Sequence, residues 1–116
     1  MSVLLIFVDG LGIGARGPHN PLHLLGAEAA PLAVFDDEEP LLPFGGLLAR
    51  TDARLGVEGR PQSASGQTTI LTGVNAPAAL GQHKQGFPNE RLREIIREHS
   101  LFLRLQIGRA SCRERV

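Results

Sequence analysis

Six consecutive apolar residues, Val3-Leu4-Leu5-Ile6-Phe7-Val8, run near the start of the chain and stop at Asp9. A run this short, unbroken and rich in strand formers reads as a β-strand buried on both faces, hence central and parallel in a sheet. Beyond it the pattern loses any period. Gly10, Gly12, Gly14 and Gly17, followed by Pro18 and Asn20-Pro21, predict a long loop rather than a helix. Residues Leu22–Ala30 have room for a short helix before Pro31, and Asp36-Asp37-Glu38-Glu39-Pro40 reads as a solvated acidic turn. Leu47–Thr51 is a second candidate strand ending at Asp52, and Gly56–Pro61 is a turn. Ser63 or Ala64 through Thr72 reads as a short helix stopped by Gly73. Asn75 is placed to cap a further turn that ends at Gly81. A helical period is clear only at Leu92, Ile95 and Ile96, after Asn89 as N-cap and Glu90 in the first turn. Ser100 is a candidate cap for one more helix.

Strand, loop, helix, strand and helix in this order imply an α/β architecture around a parallel sheet. In such sheets ligands gather at the carboxyl ends of the strands. Asp9 lies there by its position after Val8, and Ser63 lies there if its segment follows the second strand.

Composition narrows the picture. The 116 residues, 42% of them hydrophobic, suffice for one small globular domain. Formal net charge is zero, the basic residues are scattered, and there is no tyrosine or tryptophan for base stacking, so no nucleic-acid footprint is present. The Val3–Val8 run is too short for a membrane span or a signal-peptide core and lacks a basic flank, so a cytoplasmic location and no membrane partner are expected. The stretch through Leu92, Ile95, Ile96, His99, Phe102, Leu103 and Leu105 is amphipathic, whereas residues 106–116 (QIGRASCRERV) lose that period. This tail resembles a translated sequencing adapter. On that reading residues 1–105 are the N-terminal part of a truncated domain and residues 106–116 an artefact, so Cys112 carries no functional argument. Removing its three arginines and one glutamate from the twelve residues of each sign leaves nine basic and eleven acidic residues, a mildly acidic body.

The candidate chemistry rests on Asp9 and on Ser63-Ala64-Ser65-Gly66-Gln67-Thr68. An unassisted serine hydroxyl is a poor nucleophile at neutral pH. A divalent cation lowers the pKa of an oxygen bound to it, and an aspartate is a hard anionic ligand for such a cation. A helix beginning at Ser63 offers backbone N–H groups to a phosphate or sulfate. Gly66 in its first turn weakens the helix but lets a bulky tetrahedral group approach the backbone. The plainer readings are a turn aspartate at Asp9, an ordinary cap at Ser63, and an exposed loop histidine at His83. His19, His23 and His99 have no metal-ligand spacing with one another.

The segments Leu5-Ile6-Phe7-Val8-Asp9-Gly10-Leu11-Gly12-Ile13-Gly14 and Pro61-Gln62-Ser63-Ala64-Ser65-Gly66-Gln67-Thr68 together resemble the start of alkaline-phosphatase-superfamily metalloenzymes. The branch they look most like holds cofactor-independent phosphoglycerate mutase and phosphopentomutase. The resemblance implies a mostly parallel three-layer α/β/α sheet domain, of which this chain is the N-terminal part. It implies Asp9 as a metal ligand, Ser63 as both metal ligand and phosphorylated nucleophile, and two divalent ions, manganese or zinc, completed by residues beyond this chain. Gly66 matches the family's glycine three residues after the nucleophile. The mutases carry histidine next, where this chain has Gln67, so phosphatase-like members suit it better. Gly66, Gln67 and His83 are the candidate substrate-binding residues, and Ser65 is the nucleophile if the alignment slips by two. The implied function is metal-dependent phosphoryl or sulfuryl transfer, or phosphoester hydrolysis, on a small phosphorylated or sulfated substrate. The fragment alone is expected to be inactive.

Two rival readings remain open. Gly12-Ile13-Gly14-Ala15-Arg16-Gly17 matches G-x-G-x-x-G after a strand, with Asp36 or Asp37 about 20 residues on, the pattern of a dinucleotide-binding domain. That fingerprint must open a helix, which Pro18 and Asn20-Pro21 oppose. The other is a non-catalytic binding module.

Overall fold

The computed structural model describes residues 3–25, 33–40 and 42–106. The chain divides into two units, Met1–Thr51 and Asp52–Val116. Of the described residues, 40% are helical and 2% are in bridges, with no sheet. The expected α/β parallel-sheet architecture is therefore overturned, and with it the three-layer sandwich that the resemblance implied. Neither Val3–Val8 nor Leu47–Thr51 forms a strand with any described residue. Val3 is 88% exposed, and even Phe7 and Val8 are 49% exposed. The reason is that strand preference is a preference for a pleated, half-covered surface with a partner ladder. Six strand formers in a row supply the side chains but not the neighbour.

In the first unit the chain turns around Phe35. Gly14 and Phe35 form an isolated parallel bridge, and the Asp36 N–H donates to the Gly14 carbonyl at 3.1 Å. The Arg16 guanidinium lies 4.1 Å from the Phe35 ring centroid, and His23 meets the same ring edge-on. Arg16 also pairs with Asp37 and Glu38, and Arg50 donates to the Glu38 carbonyl. The acidic segment is thus a turn, as expected, but one braced by two arginines rather than simply solvated. Helix α1 (Pro21–Leu24) starts where Asn20 accepts the Leu22 N–H, with Pro21 preset for a first helical position. It is shorter than the expected Leu22–Ala30 segment, whose residues 26–30 lie outside the described ones.

The second unit is a small helical cluster. Helix α2 (Ser63–Thr72) is followed by α3 (Ala76–Leu80) and α4 (Glu90–His99), and α2 packs against both. The buried face of α2 is made of small and hydroxyl-bearing residues, Ala64, Ser65, Thr68 and Thr72. Buried threonine hydroxyls are tolerable only when bonded. Here Thr68 donates to the Ala64 carbonyl at 2.7 Å and Thr72 to the Thr68 carbonyl at 2.6 Å. Gly73 closes α2 at φ 73°, as its position predicts. The Thr69 and Thr72 hydroxyls then accept the N–H groups of Ala76 and Val74, guiding the chain into α3. Asn75 caps α3 through the Ala78 N–H while its amide nitrogen donates to the Leu55 carbonyl. Gly81 ends α3 at φ 72°. Asn89 caps α4 as predicted, and Leu92 and Ile95 bury themselves against Ala64 and Ala76. Glu90 pairs with Arg93 and Arg97 on the outer surface. Ser100, expected to cap a further helix, is buried, its backbone carbonyl accepts the Arg104 N–H, and residues 101–106 are helical. The proposed artefact, residues 106–116, lies outside the described residues except for Gln106.

Candidate functional site

Helix α2 turns two different faces outward and inward from its first turn. Residues three and four apart share a helix face, so Ser63, Gly66, Gln67 and Ile70 form one stripe. Ser63 and Gly66 are half-buried, while Gln67 and Ile70 are exposed. A Cβ built on Gly66 would meet nothing within 4 Å. Packing therefore gives no reason for glycine inside this helix, where it costs roughly 0.5–1 kcal/mol relative to alanine. Three of the residues singled out from sequence are brought together here: Ser63, Gly66 and Gln67.

The inner face belongs to Ser65. It is fully buried, at 0% exposure. Its hydroxyl accepts the Lys84 N–H at 3.0 Å, and its own N–H donates to the Lys84 carbonyl at 3.2 Å. The same hydroxyl lies 3.4 Å from the Gln62 carbonyl. These bonds give Ser65, the nucleophile if the alignment slips by two, a role in holding a loop. They also take one N–H from the helix end that was expected to face an anion.

His83 is half-buried rather than an exposed loop residue. Its Nε2 lies 3.1 Å from the Val57 carbonyl, and its ring passes 3.6 Å from where a Gly59 Cβ would stand. Gly59 has φ 110°, a conformation that suits glycine and lets the loop close over the ring. His83 thus ties two loops of the second unit together. The pairing of Ser65 with Lys84, 19 residues apart, had no counterpart in the sequence reading. The only hint was a polar Gln82-His83-Lys84-Gln85 segment between glycines.

Asp9 is exposed, directly before Gly10 at φ 74°, and belongs to the first unit, whereas Ser63 belongs to the second. Gly12, Gly14 and Gly17 do not open a helix: the chain stays irregular through them and α1 starts only at Pro21. Among the described residues no group of three or more His, Cys, Asp and Glu side chains is arranged to hold a metal ion. His23 packs on Phe35, and His99 lies 3.5 Å from the Glu98 carboxylate. No helix among the described residues is long and apolar enough to cross a membrane. Comparison with protein families, curated proteins and solved structures returned no match.

Proposed function

We propose that Ser63 is the nucleophile of a metal-dependent phosphoryl or sulfuryl transfer, or phosphoester hydrolysis, in a longer parent enzyme. The observation that carries this reading is Gly66: a glycine inside α2, on the Ser63 face, that no neighbouring atom requires. Its remaining use is to leave room for a tetrahedral group at the backbone beside Ser63. Gln67 follows on the same face as a donor or acceptor for substrate oxygens. In the reaction the Ser63 oxygen attacks phosphorus or sulfur, the bond to the leaving alcohol breaks, and that oxygen departs with a proton. Water then cleaves the serine ester in hydrolysis, or an acceptor alcohol does so in transfer. A divalent cation, manganese or zinc in the enzymes the sequence resembles, would lower the pKa of the serine oxygen.

The part of Asp9 as a ligand rests on the sequence resemblance alone. The described residues do not by themselves complete a cation site, which commonly takes about three protein ligands. Further ligands are therefore assigned to the parent. His83 enters this reading as a substrate-binding residue whose ring is held beside the Val57 carbonyl. A cytoplasmic location and a small phosphorylated or sulfated substrate belong to the same proposal.

The experiment is an assay of the parent enzyme with an aryl phosphate and an aryl sulfate in the presence of manganese or zinc. Trapping should yield a modified peptide carrying the phosphoryl or sulfuryl group on Ser63, and Ser63→Ala should abolish turnover. Turnover retained in Ser63→Ala rejects the proposal.

A further inference from the structure

We propose that residues 82–85 form a strap, hinged at Gly81 and Gly86 and latched by Ser65, which opens locally without unfolding the helices it joins. The strap connects α3 to α4. Both flanking glycines sit at positive φ, 72° for Gly81 and 75° for Gly86. Such positions absorb backbone rotation with little steric penalty, as hinge residues must. Between them Gln82-His83-Lys84-Gln85 contains no apolar side chain to bury. What holds the strap is polar: the two Lys84–Ser65 bonds, the His83–Val57 contact, and a Gln82 N–H bond to the Pro77 carbonyl. The Lys84 ammonium folds back on the strap itself, donating to the Gln85 carbonyl. On either side the chain is anchored by apolar packing, with Ala76 and Leu92 both at 0% exposure.

A segment fastened by a few hydrogen bonds between packed elements opens at lower free energy than those elements unfold. Release frees the Ser65 N–H at the turn that begins with Ser63 and leaves its hydroxyl only the Gln62 carbonyl at 3.4 Å. That step would return a donor to the end of α2, where oxygens of a transferring group need one. This consequence rests on the reading of Ser63 as nucleophile; the opening itself does not.

Amide hydrogen exchange followed by NMR on the full chain tests the strap. The Lys84 N–H should be protected, yet at least tenfold less than the α4 N–H groups of Ile96 and Arg97. Low concentrations of urea should accelerate the α4 groups and leave Lys84 unchanged, because local opening exposes little surface. Ser65→Ala should lower Lys84 protection at least tenfold further while α4 keeps its own. Equal protection of Lys84 and α4, a parallel urea response, or no protection at Lys84 in the wild type would overturn the strap. The wild-type urea series decides the matter even if Ser65→Ala does not fold. Because the readout is exchange rather than activity, failure of the strap and failure of the Ser63 assignment are separate results.

Discussion

Gly66→Ala separates a glycine kept for a ligand from one kept for the fold. The position lies inside α2, and a Cβ there meets no atom within 4 Å. Alanine removes the extra backbone freedom that glycine has in the unfolded chain and exposes less of the helical backbone to water. The expected gain is about 0.5–1 kcal/mol. For a unit of this size, about 1 kcal/mol moves the melting temperature by roughly 4–8 °C, so a rise of about 2–8 °C is expected. Circular dichroism at 222 nm during thermal unfolding reads this directly, and urea unfolding should show a higher midpoint with unchanged slope. The second measurement is turnover by the parent enzyme carrying the same substitution. A methyl group beside Ser63 should lower it by about tenfold or more, equivalent to about 1.4 kcal/mol of lost transition-state stabilisation. A more stable protein with undiminished turnover would refute the argument that a ligand approaches Gly66. A less stable protein would show that the glycine serves the fold.

Two further substitutions test the packing of the second unit. Leu92→Ala, at a fully buried position in contact with the α2 and α3 alanines, should cost about 2–5 kcal/mol. A loss below about 1 kcal/mol in urea titration would contradict the assigned core. Asn89→Ala removes one helix cap and should cost about 1 kcal/mol, whereas Asn75→Ala should cost more. Asn75 both caps α3 and donates to the Leu55 carbonyl, so equal losses in paired melting curves would discount that second bond.

The helices of the second unit were legible because their signals are local. Gly73 and Gly81 supply the left-handed residues that end α2 and α3, and Asn75 and Asn89 supply side-chain oxygens for the starts of α3 and α4. Leu92 and Ile95 announce the buried side of α4 by their spacing. The inner side of α2 is harder to read, because Ser65, Thr68 and Thr72 look like surface residues until their hydroxyls find partners one turn back or across the fold. The Ser63 stripe follows from helical spacing, but its lack of packing around Gly66 is visible only in three dimensions.

Local chemistry in the chain by itself determined where helices begin and end, since a cap or a left-handed glycine acts within a few residues. It did not determine whether Val3–Val8 becomes a strand, because a strand exists only through hydrogen bonds to another segment, and none of the described residues supplies them. Tertiary structure alone decided that Ser65, near the start of α2, is committed to the fold. Ser65 is taken by Lys84, a partner that only the path through α3 brings alongside it.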